Sequence, residues 1–320
     1  MLNHQEIIEK LTIEQKLSLI ADISALAGED EAKYGIRFIA ESSIEELNVE
    51  EGHKYPSFSA LANTWNESLL VKVSDSLARK AKEKGITLLN TPAANVKTVP
   101  YSNGVAEDPY LAGTLAGAML GTGDRCGIKT CLSNPEFTQT DADYSDIHYN
   151  ERAVKEYFER SIETALQCGA GAVSASKTKV SGAYKTVNEA WLDKFGQKYP
   201  IIYHCKTAKE TMPLFLEQDK LCKGGSLATL KEAVEKYADL QKAFESGGVS
   251  LNEIEAECQC GNAISPEMVD NAVDRVLDFT AACMRMRSNG KESLEDEKLA
   301  LKAAEESIVL LKNTDKVLPI

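Results

Sequence analysis

Gly127-Ile-Lys-Thr-Cys-Leu132, then Glu151-Arg-Ala-Val-Lys-Glu-Tyr-Phe-Glu-Arg-Ser-Ile-Glu-Thr-Ala-Leu-Gln167, then Ala170-Gly-Ala-Val-Ser-Ala175 is the stretch that sets the fold class. Two short apolar runs flank a segment whose apolar residues recur at helical spacing, so the stretch reads strand, helix, strand. The same alternation continues outward in both directions. Upstream, residues 36–40 read as a buried strand, 59–84 as a long amphipathic helix ended by Gly85, and 86–89 as a strand. Asp108 before Pro109 supplies a helix N-cap with proline at the first position, so a helix should run on to Leu120. At the start, Thr12-Ile-Glu-Gln15 has the form of a capping box and opens a helix to about Ala25. Downstream come a helix at 187–195, a strand at 200–204, and helices at 207–217 and 227–246 on either side of Gly224 and Gly225. Strand-helix units repeated with short connections require a parallel sheet covered outside by helices, and this many units favour a barrel. Residues 251–311 read as mostly helical, with a helix at 295–304 and a short strand-like run at 308–311.

The 320 residues suffice for one large barrel or for two average domains. Hydrophobic residues make up 43% and charged residues 27%, the mix of a globular protein with a sizeable core. Acidic side chains number 49 against 36 basic ones, and the net charge of −13 repels a phosphate backbone and an anionic bilayer. No nucleic acid and no membrane partner is expected. Met1 to Ile20 alternates apolar with charged residues, without the apolar core of a signal peptide, and no stretch is long enough to span a bilayer; a cytoplasmic location is the expectation. Eight cysteines are scattered without paired CxxC spacing, so buried reduced thiols are expected, with no metal and no cofactor.

Longer stretches carry a resemblance. Tyr55-Pro-Ser-Phe-Ser-Ala-Leu-Ala-Asn-Thr-Trp65-Asn66, Lys84-Gly-Ile-Thr-Leu-Leu-Asn-Thr-Pro92 and Glu107-Asp-Pro-Tyr-Leu-Ala-Gly113 resemble the conserved segments of glycoside hydrolase family 3, the β-glucosidase-like enzymes. So do Ile264-Ser-Pro-Glu-Met-Val-Asp-Asn-Ala-Val-Asp-Arg-Val-Leu277 and Ala303-Ala-Glu-Glu-Ser-Ile-Val-Leu-Leu-Lys-Asn313. The resemblance spans about residues 8–320. It implies an α/β fold, a TIM-type (β/α)8 barrel with room for an irregular first strand, plus a C-terminal helical extension. Residues 1–250 would be the barrel; residues 251–320 would be the extension and the start of a linker to a second α/β domain expected beyond Ile320.

The same resemblance points to a degenerate site. A retaining glycosidase needs two carboxylates flanking the scissile bond. In the family the nucleophile is an aspartate at the end of a buried strand; here Ile201-Ile-Tyr-His204 runs into Cys205. Where the family holds its sugar with aspartate, arginine, a Lys-His pair, tyrosine and asparagine, this chain aligns Ser43, Thr98, Ser133 with Asn134, Lys177 and Thr178, and His204 also falls among the sugar-site positions. Such losses remove binding and catalysis together, because each anchor is aimed at a sugar hydroxyl or at developing charge. A Cys205–His204 couple is an alternative, but neighbours on a strand point to opposite faces. Asp141, Asp143 and Asp146 could supply replacement acids, or form a solvated loop. Three readings therefore stand: an impaired barrel that still takes a carbohydrate or small molecule at its mouth, a divergent active β-glycosidase using other carboxylates or a further domain, and a non-catalytic scaffold for that second domain. All three focus on the C-terminal ends of the strands, where barrels of this type keep their chemistry.

Overall fold

A computed structural model describes residues 2–29, 31–49, 54–97, 104–133, 150–180, 183–186, 199–204, 220–223, 225–284 and 294–314. In chain order the elements are α1 (Gln5–Ile8), α2 (Ile13–Ala21), α3 (Glu31–Tyr34), β1 (Glu41–Ser43), α4 (Ile44–Val49), α5 (Phe58–Ala62), α6 (Glu67–Glu83), β2 (Leu88–Thr91), α7 (Pro109–Leu120) and α8 (Thr122–Cys126). There follow β3 (Lys129–Leu132), α9 (Glu151–Ala153), α10 (Arg160–Leu166), β4 (Ala172–Val180), β5 (Ala183–Thr186), β6 (Ile201–His204) and β7 (Lys220–Lys223). The last four are α11 (Leu227–Glu245), α12 (Leu251–Gln259), α13 (Pro266–Met284) and α14 (Leu294–Glu306).

β1, β2, β3, β4, β6 and β7 pair in chain order and in parallel, while β5 folds back antiparallel on the far end of β4. Parallel strands that follow one another without a reversal belong to a β/α barrel; a doubly wound sheet reverses order in its middle. The expected TIM-type α/β architecture with a helical C-terminal part is what the chain adopts.

Strand alternation sorts the core into two sides. Leu88, Cys131, Ala172, Ile202 and Leu221, one from each of β2, β3, β4, β6 and β7, share a cluster with Leu17, Leu19 and Ile20 of α2 and with Val269, Val273, Leu277 and Cys283 of α13. Their neighbours Leu132, Val173 and Ile201 face the other way, against Ala116, Leu120, Ile162 and Ala165 of α7 and α10. Each such aliphatic side chain stabilises the fold by about 1.5–3 kcal/mol when fully buried. Both ends of the described chain thus pack onto the same strand face, and the Gly225 N–H donates to the Ala21 carbonyl (2.8 Å), joining the exit of β7 to the end of α2.

The caps form as their residues require. Thr12 and Gln15 make the capping box of α2, Asp108 Oδ1 accepts from the Leu111 N–H at 2.6 Å with Pro109 leading α7, and Gly85 takes φ +75° after α6.

Several boundaries differ from the sequence reading. The strand expected at 36–40 is not one: pairing begins at Glu41. Phe38 and Ile39 are buried, and the Ala40 carbonyl accepts from the N–H groups of Thr87 and Leu88, so this run is apolar because it lies inside the core on its way to β1. The single helix expected at 59–84 is broken into α5 and α6. Thr64 Oγ1 donates to the Leu61 carbonyl, Asn66 Oδ1 accepts from the Leu69 N–H, and Trp65 between them adopts φ +52°. Side-chain hydrogen bonds of this kind compete with helix continuation. The 151–167 helix contains a π-helical stretch at Val154–Glu159. Ile308–Leu311 forms no strand, and its side chains are exposed. β5 and β7 were not anticipated; the helices expected at 187–195 and 207–217 lie outside the described residues. Of the cysteines, Cys126, Cys131 and Cys283 are buried free thiols as expected, whereas Cys168 and Cys260 are free but exposed.

Candidate functional site at the barrel mouth

The C-terminal ends of the strands bring together four groups of residues singled out above. Ser43 ends β1, in register with Asn90, which is in turn opposite Cys131. Ser133 follows β3, and its N–H donates to the Thr91 carbonyl at 3.2 Å. His204 ends β6, opposite Ser176 on one side and Lys223 on the other. Lys177 and Thr178 lie just past Ser176, where β4 leaves the parallel sheet and pairs with Thr186 and Lys185 of β5. Thr98, Asn134, Asp141, Asp143, Asp146 and Cys205 lie outside the described residues.

Ser43 is committed to local structure. β1 runs straight into α4, and Ser43 Oγ accepts from the Glu46 N–H at 3.0 Å while Glu46 Oε2 accepts from the Ser43 N–H (2.9 Å) and Ser42 Oγ (3.0 Å). This is a capping box, legible in Ser43-Ile-Glu-Glu46 but not anticipated. The Ser43 N–H and then the Ser42 hydroxyl hold the Glu46 carboxyl below the usual glutamate range. Glu45, in the same turn, moves the other way: desolvation by the surrounding protein raises its pKa although its side chain keeps solvent contact, and the Glu46 charge adds to the rise. Two adjacent acids at the lip are therefore driven apart in protonation. Sequence reasoning missed Glu45, since desolvation has no signature in a Glu-Glu pair.

Below the lip the polar groups are also engaged. Thr91 is fully buried and its Oγ1 donates to the Cys131 carbonyl at 3.2 Å. Burial drives the Cys131 thiol far up and that of Cys283 up to about 12, so neither is a thiolate near neutrality. A cleft of about 20 Å³, room for a water, sits near the opposite ends of the strands between Gly123, Lys129, Cys168 and Gly171, and has no part in the mouth. Among the described residues no three His, Cys, Asp or Glu side chains are grouped to hold a metal, and no helix is long and apolar enough to cross a membrane.

No protein-family profile matches the chain. It is 22% identical over 345 residues to the thermostable beta-glucosidase B of Acetivibrio thermocellus, covering 99% of this chain and 43% of that protein. A probable beta-glucosidase H of Aspergillus flavus is 26% identical over 278 residues, covering 83% of this chain and 31% of its own length. Among solved structures, beta-glucosidase 3B of Thermotoga neapolitana in complex with alpha-D-glucose matches with a TM-score of 0.70 at 20% identity, over 99% of this chain and 48% of that one. The GH3 beta-glucosidase of Bifidobacterium adolescentis matches with a TM-score of 0.69 at 19% identity, over 100% of this chain and 46% of that one. The chain spans less than half the length of the curated relatives it matches.

Proposed function

We propose that this chain, which belongs to the β-glucosidase-like glycoside hydrolase family 3 and corresponds to the N-terminal domain of its relatives, does not hydrolyse glycosides at its barrel mouth. The observation that carries this reading is the end of β6: the strand stops at His204, and the next residue is Cys205 where a retaining enzyme of this type carries its nucleophilic carboxylate. The commitment of Ser43 to a helix cap supports it, because an oxygen aligned with a sugar anchor is used to hold α4. In this reading residues 1–250 are the barrel and 251–320 the extension toward a second α/β domain. The chain would work in the cytoplasm as a binding or scaffold barrel, with a carbohydrate or small molecule as the ligand of its mouth.

The test is release of 4-nitrophenol from 4-nitrophenyl β-D-glucoside and from the N-acetyl-β-D-glucosaminide by the purified chain. No release above the protein-free blank is expected. Saturable turnover overturns the proposal, and its loss in Cys205→Ala would assign it to the thiol. Cys205→Asp is expected to stay inactive as well, because a nucleophile acts only on a sugar held in line, and such positioning is worth about 7–11 kcal/mol. The second reading, an active enzyme using other carboxylates, is favoured by one observation: the raised pKa of Glu45 at the lip is the property of a proton donor. Turnover that survives Cys205→Ala and vanishes in Glu45→Gln would establish that reading instead.

A further inference from the structure

The close contact between α7 and α10 fixes their register. A Cβ on Gly113 would lie 2.3 Å from the Ser161 carbonyl oxygen, and one on Gly117 would lie 2.8 Å from Cys168 Sγ and 3.3 Å from the Ala165 Cα. Residue 113 thus meets 161 and 117 meets 165, so the helices run parallel. One turn earlier on the same stripes come Tyr110, three residues before Gly113, and Tyr157, four before Ser161. They flank the crevice between the two helices at its mouth-side end. Tyr110 is 59% exposed and Tyr157 50%, and neither hydroxyl bonds to another described residue.

The mounting is firm. Tyr110 is held by the Asp108 cap and the Pro109 start of α7, and the two glycines let the helices approach closely below it. Helix axes lie about 8–10 Å apart when packed, and closer where glycines face the partner, so the two rings border a space the size of one flat ring.

The surroundings select the chemistry of the occupant. Exposed Glu107 and Asp108 flank Tyr110, and exposed Lys155, Glu156 and Arg160 flank Tyr157. No exposed large aliphatic side chain is found on α7 or on the described residues 150–166. An apolar protein partner calls for a continuous apolar patch, and a net charge of −13 repels nucleic acid and anionic lipid. The two cations beside Tyr157 disfavour a basic peptide. A pyranose ring satisfies every group: its C–H face covers an aromatic ring while its hydroxyls donate to carboxylates and bond with the phenols. Trp65 presents a contrast, since its neighbour Asn66 bonds to Glu306 just before the exposed aliphatic run Ile308–Leu311, a surface of a different kind.

We propose that Tyr110 and Tyr157 form a surface subsite for one ring of a neutral oligosaccharide, outside the barrel mouth and independent of whether the mouth binds anything. The probes are cellohexaose, xylohexaose and laminarihexaose, titrated by calorimetry into the chain. Saturable binding of at least one probe is expected. Tyr110→Ala and Tyr157→Ala should each weaken it about tenfold and the double variant abolish it, while Tyr157→Phe should retain most of it if stacking dominates. Ser133→Ala at the mouth should bind as the parent does, which separates this subsite from the mouth. Circular dichroism of each variant monitors folding, which substitutions at exposed positions should leave intact. The proposal is overturned if no probe binds below about 10 mM, if the tyrosine variants bind like the parent, or if Ser133→Ala removes the binding. It is equally overturned if a lysine-rich peptide binds at the tyrosines and the sugars do not.

Discussion

The wall of the barrel and its mouth are built from the same strands. Along β2, Leu88 and Leu89 are fully buried on opposite faces, whereas Asn90, two residues on, is only half-buried and begins the mouth. In the wall, cohesion comes from apolar contact and from helices close enough that Gly113 and Gly117 leave no space for a methyl group. At the mouth the described polar groups mainly bond to their own chain: Ser43 with Glu46, Thr91 with Cys131, Ser133 with Thr91. The difference teaches that a barrel can keep its scaffold intact while its rim turns to local bookkeeping, because packing is enforced by every neighbour and a site residue only by a ligand.

The sharpest way to break the comparison is in the wall. Leu88→Ala would open a cavity on the strand face shared with α2 and α13 and should lower the unfolding free energy by about 3–4 kcal/mol, read from urea melts. A smaller effect is expected from Gly113→Ala, whose methyl group would press on the Ser161 carbonyl and Thr164; about 2 kcal/mol, unless α10 shifts. At the mouth, Ser43→Ala removes one cap and should cost about 1 kcal/mol. If Ser43→Ala proves as damaging as Leu88→Ala, the distinction between wall and rim fails.

The smallest expected effect is on pH dependence. Glu46 is held below the ordinary glutamate value of 4.5 by the Ser43 N–H and Ser42, and Glu253 by the N–H and hydroxyl of Ser250. A depressed carboxyl contributes stability that is present above its unfolded value and lost as the pH falls through its folded one. Glu45 has the opposite sign: its raised pKa favours the fold at low pH, and that contribution is lost as the pH rises through the raised value. Urea melts between pH 7 and pH 3 should therefore show Glu46→Gln losing less stability than the parent below about pH 4.5, and Glu45→Gln losing more.

Much of the wall was legible. The apolar runs at 86–89, 127–132, 170–175 and 200–204 each contain or overlap an observed strand, displaced by up to two residues because the first apolar residues of each run are buried before pairing begins. β7 was hidden because Lys220-Leu-Cys-Lys223 offers too short an apolar run to register as periodicity. At the site, the positions of Ser43, Ser133 and His204 at strand ends were foreseen, while the use of Ser43 as a cap and the opposed shifts of Glu45 and Glu46 were not.

What the sequence determined by itself is whatever depends on near neighbours: the alternation that makes strands and helices, the caps at Thr12, Asp108 and Ser250, the left-handed turn at Gly85, and the run of motifs shared with the β-glucosidase-like family. What only the tertiary structure decided is whatever depends on residues far apart in the chain. The break before Asn66 is held in part by Glu306, 240 positions away. The packing of α13 on the same strand face as α2 gathers both ends of the chain, the register of α7 on α10 places Tyr110 beside Tyr157, and the desolvation of Glu45 is created by surroundings assembled only in the fold. Local preferences are written in spacing; burial, register and pKa follow from what else arrives in the same volume, which no window of sequence contains.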